Sequence, residues 1–312
     1  MFGLDILIMF ALAIAIDLAM GEPPRIVHPV VWIGKVIALL TKAGNELRPA
    51  TQFIYGLSIV LLTTTSFVVA VYFLLLYLRE LNFIAYVIIG SLLLKPTFSL
   101  RELHQTILKV KRLLKEGKLD KARFELRSLV SRDTTGLNES QIVAATVESA
   151  AENSCDSFIA PLFYFLIFGV PGALAYRVIN TFDAMIGYHD KWEHLGKFAA
   201  RLDDVVNFIP ARVTALLIII SAMINRKNLK QAWRIMLRDH AKTESPNAGW
   251  TMSAIAGALD VQLEKAGYYK LGDNHYSLSL NTIDASRQLT IMAALIWSVI
   301  YILTEVAYLV AT

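Results

Sequence analysis

Apolar and polar positions divide the chain into long greasy runs joined by short polar ones. Phe53–Leu78 holds 26 residues without a charge. At about 1.5 Å per residue this exceeds the ~30 Å hydrocarbon core of a bilayer, with length to spare for tilt, and predicts a transmembrane helix. Gln288–Thr304 gives a second run, 17 uncharged residues continued past Glu305 by an apolar C-terminus. Leu81–Leu100, broken only by Lys95 and Pro96, follows the first run so closely that the two predict a helical hairpin. Phe2–Ala19, with Asp5 and Asp17 inside it, makes a fourth. It lacks the basic start and the small-residue cleavage pattern of a signal peptide.

Two apolar stretches are less regular. Phe158–Tyr176 is uncharged but carries Pro161 and the breaker Gly169 to Gly172, so it predicts either a kinked span or two half-helices that turn back inside the protein. Val205–Ile224 is long enough to cross, yet contains Pro210 and Arg212. Between the spans, Arg101–Arg132 carries ten Lys or Arg against four Asp or Glu. Leu103, Ile107, Val110, Leu113 and Leu114 recur at helical spacing, and Gly117 turns the chain into a second helix, Leu119–Val130. Lys and Arg collect on the cytoplasmic side, which places this hairpin there. Arg226, Lys227, Lys230, Arg234, Arg238 and Lys242 ask for the same side. If Phe158–Tyr176 and Val205–Ile224 each cross once, the 180–204 loop lies outside; if both are re-entrant it lies inside. The expected fold is all-α: a polytopic membrane bundle with about four to six embedded helices, re-entrant or broken ones among them. Residues 1–312 would form a single integral-membrane domain, with 101–132 as a cytoplasmic helical hairpin insertion.

Composition agrees with that pattern. The chain is 55% hydrophobic and 18% charged, where about a quarter of an ordinary soluble chain is charged, so a soluble enzyme is excluded. Cys155 is the only cysteine, which excludes an intrachain disulfide. A net charge of +4 fits basic cytoplasmic loops, and nucleic acid is not an expected partner.

Polar residues inside greasy segments carry the candidate chemistry. Asn138 with Gln141 reads as a capping box opening a helix. Along that helix Glu148, Glu152 and Asp156 fall at i, i+4 and i+8, three carboxylates on one face that call for a hard metal, arginines or raised pKa values. The competing reading is a solvated face paired with the basic segment. Arg177, Asn180 and Asp183 share a helical side. Arg201, Asp203, Asp204, Asn207 and Arg212 sit in or against an apolar segment, where ionisable groups are costly and are functional candidates. Adjacent Asp203 and Asp204 point to different sides, so one could bind a metal while the other orients Arg201 or Arg212; the alternative is an Arg–Asp pair that merely holds the bundle together. Asp17, Glu22, Arg25 and His28 surround a proline-rich bend, and Thr243–Trp250 forms a turn with Glu244, Asn247 and an aromatic able to stack on a planar ligand. Other signals fail. His189 and His194 lack zinc-site spacing and a third ligand, and no phosphate-binding Gly-rich loop or Gly-x-Ser-x-Gly elbow occurs. Cys155 reads as a packed small residue.

Taken in order, the motifs resemble the adenosylcobinamide-phosphate synthase (CbiB/CobD) family of cobalamin biosynthesis. They are Asp17 with GEPPRIVHPVVWIG, SRDTTGLNES at 131–140, VESAAENSCDSFIAPLFY at 147–164, PGALAYRVINTFDAMIGY at 171–188, AARLDDVVNFIPARVTAL at 199–216 and ESPNAGWTMSAIAGAL at 244–259. Glu22, Cys155, Phe208 and Thr251 depart mildly from the family pattern, and 189–197 is given no role. The resemblance implies a carbon–nitrogen ligase that joins adenosylcobyric acid to aminopropanol or its phosphate, with ATP as co-substrate and Mg2+. On that reading Glu148, Glu152, Asp156, Asp203 and Asp204 would supply metal ligands. Arg132, Arg201 and Arg212 would neutralise phosphate, and Asn153, Asn180 and Asn207 would orient the reacting groups. Asp133 or His28 would be the general base. Asn247 and Trp250, with Trp32, would line a groove for the flat corrinoid. The protein would lie in the cell membrane with its site on the cytoplasmic face, as a homo-oligomer or beside later cobalamin-assembly enzymes. Two alternatives stand beside this. One is an intramembrane magnesium-diphosphate enzyme of prenyltransferase type. The other is a non-enzymatic AmpE-like sensor or transporter, against which stands the lack of an internal repeat.

Overall fold

The computed structural model describes residues 3–24, 26, 28–44, 46–188 and 192–311; Arg25 and His189, named above, lie outside them. The chain is 79% helical, as the pattern predicts, and five stretches among the described residues are long and apolar enough to cross a membrane. They are Pro49–Leu81, Phe83–Lys115, Glu139–Ile186, Lys197–Ile224 and Leu280–Ala311. The chain divides into two compact units, Met1–Ser99 with Ala160–Asn207 and Tyr301–Thr312, and Leu100–Ile159 with Phe208–Ile300.

The first unit contains α1 (Leu4–Met20), α2 (Pro29–Gly44), α3 (Pro49–Leu81), α4 (Phe83–Leu94), α8 (Ala160–Ile186) and the start of α9 (Lys197–Ile224). The expected Phe2–Ala19 span is helical, but its 17 described residues reach only about 25 Å, short of a bilayer core. The expected hairpin forms at Asn82, whose extended backbone ends α3 and whose side chain accepts the Ala85 amide at 2.9 Å to start α4.

Helix α8 resolves the ambiguity over Phe158–Tyr176. Gly169 takes φ 66, ψ −160, a conformation open to glycine and strained for other residues. There the helix folds back on itself. A Cβ on Gly172 would lie 2.6 Å from the Tyr164 carbonyl oxygen, and the Tyr164 and Tyr176 rings stack at 5.6 Å. In a straight helix those tyrosines would stand about 18 Å apart.

Helix α9, by contrast, runs through Pro210 without a break, so Val205–Ile224 is not a pair of half-helices. Proline has no N–H and frees the carbonyl four residues back, here that of Val206. The Tyr164 hydroxyl donates to that oxygen at 2.9 Å. Tyr164→Phe should therefore orphan it and destabilise the protein by about 1–2 kcal/mol. Unfolding of the micellar protein by graded detergent denaturation checks this, and an unchanged midpoint would show that the carbonyl is satisfied otherwise.

The second unit opens with α5 (Leu100–Lys115) and α6 (Leu119–Leu126). Leu103, Ile107, Val110 and Leu114 form the buried stripe of α5, and Gly117 turns the chain at φ 69. The second helix ends four residues before the expected Val130. The reason is local: the Thr134 hydroxyl takes the Arg123 carbonyl at 2.8 Å, so the Arg127 amide bonds Phe124 instead and the helix tightens and stops. After the predicted capping box (Gln141 amide to Asn138 Oδ1, 2.9 Å; Asn138 amide to Gln141 Oε1, 2.8 Å) comes α7, Glu139–Ser154, and then a π-helical turn, Cys155–Ile159. The rest of α9 leads to α10 (Leu229–Asp239), α11 (Ala248–Leu259), the strand pair β1 (Leu263–Lys265) and β2 (Tyr269–Leu271), and α12 (Leu280–Ala311). The strands pair antiparallel, Leu263 opposite Leu271.

The hairpin is fastened to α10 by charge. Arg238 grips buried Asp239 with two nitrogens at 2.7 and 2.8 Å and reaches Asp273 at 2.7 Å, while the Gly272 amide donates to Asp239 at 2.8 Å. Burial opposes the Asp239 charge, but hydrogen bonds from Arg238, Lys242 and Gly272 outweigh it and hold the acid at about 2.

Candidate functional site

In the first unit, the folded-back half of α8 runs antiparallel to the start of α9. Gly196 permits the approach, since a Cβ there would collide with the Ile186 carbonyl. Asp203 thereby receives two amide groups, from Asn180 Nδ2 at 3.4 Å and Asn207 Nδ2 at 2.9 Å. Asn207 is buried, and Tyr176 donates to its Oδ1 at 2.9 Å, which fixes the amide with its nitrogen toward the acid. Arg177 reaches Asn180 Oδ1 at 3.4 Å, and Asp183 and Asp204 lie within electrostatic reach of Asp203. Of the sequence-predicted residues, Asn180, Asp203 and Asn207 thus meet. Arg201 is exposed. Amides hold Asp203, because Asn180 and Asn207 are the donors the antiparallel register delivers.

A second polar centre of this unit was only half visible in the sequence. Lys95 is 3% exposed and sits 3.0 Å from Asp17, itself 1% exposed, and 2.8 Å from Glu22. His28 Nε2 lies 2.7 Å from Glu22 Oε2, while its Nδ1 accepts the Val30 amide at 3.2 Å and so caps α2. The amide makes Nδ1 an acceptor, which puts the ring proton on Nε2, facing Glu22. Burial opposes the Glu22 charge, but hydrogen bonds from His28, Lys95 and Ser99 pull it down to about 2. A lysine inside an apolar run was the available signal.

In the second unit, Arg132 donates to buried Glu148 at 2.7 Å. Tyr269 of β2 packs beside it; burial first, then the charges of Glu148 and Glu152, push its phenol well above the usual range. Tyr269 carries no motif and was missed. Asp156 falls in the π-helical turn, where wider bonding breaks the 3.6-residue register, so Glu148, Glu152 and Asp156 do not share one uninterrupted α-helical face. Asn153 spends its Nδ2 on the Ser149 carbonyl at 3.0 Å. Asp133 is exposed, and hydrogen bonds from the Thr135 amide and hydroxyl hold it below the usual carboxylate range.

The last group stands on α9 and α11. Arg212 donates to Asn247 Oδ1 at 3.1 Å, and its guanidinium lies 3.5 Å from the Phe208 ring centroid and 4.7 Å from that of Trp250. Trp250 stacks on His240 at 4.1 Å. Its indole therefore already has an imidazole and a guanidinium against it, a packing that the spacing of Thr243–Trp250 could not show.

Among the described residues, no three His, Cys, Asp or Glu side chains are gathered so as to hold a metal ion.

The family described as CobD/Cbib protein matches residues 10–299. The chain is 52% identical over 297 residues to the cobalamin biosynthesis protein CobD of Dehalococcoides mccartyi (strain CBDB1), covering 95% of this chain and 96% of that one. It is 44% identical over 264 residues to the probable cobalamin biosynthesis protein CobD of Methanothermobacter thermautotrophicus, covering 84% and 85%. With the protein of the same description from Methanocaldococcus jannaschii it shares 39% over 303 residues, covering 95% and 99%. No solved structure matches. Because the match runs through both units and every polar cluster described above, the chain belongs to the CobD/Cbib family.

Proposed function

We propose that the protein is a membrane-embedded carbon–nitrogen ligase of cobalamin biosynthesis, joining a carboxylate of adenosylcobyric acid to the amine of aminopropanol or its phosphate, with ATP as co-substrate. The observation that carries this is the full-length similarity to relatives named for cobalamin biosynthesis. The acids, guanidiniums and amides at the motif positions support it. Forming an amide from a carboxylate and an amine in water is uphill, so the acid must be activated. Its oxygen attacks the terminal phosphorus and ADP leaves; the amine then attacks the acyl carbon, phosphate departs and a base takes the amine proton.

The residues suit the separate demands of those steps. Arg132 and Arg212 carry guanidiniums able to grip phosphate or carboxylate oxygens in pairs. Asp203, positioned by two amides, offers a fixed carboxylate. His28 has both ring nitrogens engaged, which leaves Asp133 of the two candidate bases. A carboxylate held so low is a weak base, suited to an amine that already bears positive charge. Magnesium would arrive on the nucleotide, where one or two carboxylates beside the phosphates suffice, and would spread phosphate charge. Glu148, Glu152 and Asp156 in the second unit, or Asp203 and Asp204 in the first, are the acids that could supply them. With ATP drawn from the cytoplasm, the reaction would face that side of the cell membrane.

Full-length protein in lipid vesicles, given adenosylcobyric acid, aminopropanol phosphate, ATP and magnesium, should yield an amidated corrinoid with ADP and phosphate. Absence of product with every amino-alcohol tried, while a prenyl diphosphate is consumed, would overturn the reading in favour of diphosphate chemistry.

A further inference from the structure

In the second unit a half-polar hollow of about 670 Å3 opens between the end of α9, the Asn228 cap of α10, the end of α11 and the start of α12. That volume lies within the range of small-molecule sites, roughly 300–1,000 Å3. Arg226 and Lys227 line it, and among the described residues neither is paired with a carboxylate. Ser277, Ser279 and Asn281 add hydrogen-bond donors. The acid of the lining, Asp260, accepts from Asn228 Nδ2 at 2.8 Å and stands 3.7 Å from His275 Nδ1, so its charge is partly spent. Backbone strain marks the same place. Arg226 (φ 53) and Asp260 (φ 51) are the two non-glycine residues with positive φ among the described residues, and both line this hollow. Arg226 ends α9 where glycine is the favoured residue, and strained positions of this kind collect at functional sites.

We propose that this hollow binds a phosphate ester. Two cations that form no ion pair, hydroxyl and amide donors, and the positive N-terminal end of the 32-residue α12 together outweigh Asp260 and favour an anion with several acceptor oxygens. The hollow is far larger than an inorganic ion, which leaves room for the organic part of an ester. Both α9 and α12 are long enough to cross a membrane, so the hollow lies at the ends of two spans, a level that lipid phosphates and soluble phosphate esters both reach. The lining residues lie outside the groups assigned to amide ligation above.

The test has two arms on full-length protein. In phosphatidylcholine nanodiscs, calorimetric titration with sn-glycerol 3-phosphate reads a soluble ester. Native mass spectrometry after reconstitution in mixed phosphatidylcholine and phosphatidylglycerol vesicles reads retained anionic lipid. Arg226→Asn with Lys227→Gln, chosen because asparagine tolerates a left-handed backbone, should weaken binding roughly tenfold or more in whichever arm shows it. Arg226→Lys with Lys227→Arg should retain it, and Asn281→Asp should weaken it by adding negative charge. Loss in the first arm assigns the site to a soluble ester, and loss in the second alone assigns it to a lipid headgroup. Binding that ignores these substitutions, or no binding in either arm, overturns the proposal.

Discussion

Asp203→Ala should cut amide ligation by about 10²–10³-fold or more, the loss seen when one preorganised charged or hydrogen-bonding group leaves a catalytic site. The protein should still insert and fold, with a loss of stability of about 1–3 kcal/mol from the orphaned amides, too small to unfold it. Asn180 and Asn207 donate to the two oxygens of Asp203, and Tyr176 fixes the Asn207 amide from behind, so the carboxylate is held in one orientation before any substrate arrives. Alanine removes the charge and leaves both amides without their acceptor. Asp203→Asn keeps the shape but removes the charge and turns an NH2 group toward one of the two donors, so it should lose activity comparably rather than partially. The measurement is corrinoid product formed per minute in vesicles, set beside the melting temperature of each variant. Near-normal rates in Asp203→Ala would remove this residue from the chemistry.

What the sequence could show follows from the range of each interaction. Helices α3 and α12, the hairpin at Asn82, the capping box at Asn138 and the break at Gly169 each depend on residues a few positions apart, and periodicity or one special residue announces them. The errors have a different origin. Pro210 reads as a breaker, and α9 runs on because Tyr164, 42 residues before the freed Val206 carbonyl, supplies the missing donor. Val130 continues a helical pattern, and α6 stops because Thr134 reaches back to Arg123. Among the site residues, Asp203 and Asn207 were visible as costly polar groups in an apolar segment. That Asn180 would meet the acid from the other helix required the register between α8 and α9, which a single chain read in order does not contain.

The same contrast governs the second large effect. Lys95→Met should destabilise the protein by about 3–5 kcal/mol, because it removes one partner of a buried ionic group and leaves the others without compensation. Lys95 bridges Asp17 and Glu22, 78 and 73 residues away in the chain, and its ammonium is almost fully withdrawn from solvent. Glu22 records the benefit. Burial raises its proton affinity, yet His28, Lys95 and Ser99 bring it from 4.5 to about 2. A carboxylate whose folded value is depressed adds stability that is fully present above its unfolded value and is lost as pH falls toward the folded one. The contribution of Glu22 should therefore be intact at neutral pH and fade between about 4.5 and 2. The gap between wild type and Lys95→Met should shrink over the same window, because protonation relieves the uncompensated acid in the variant. Asp17→Asn with Glu22→Gln and Lys95→Met, which removes all three charges together, should recover most of the loss at pH 7, since replacing a whole buried ionic group often costs little. Graded denaturation of the micellar protein at several pH values measures each term. A Lys95→Met protein as stable as wild type at neutral pH would show that water, not Lys95, compensates the two acids.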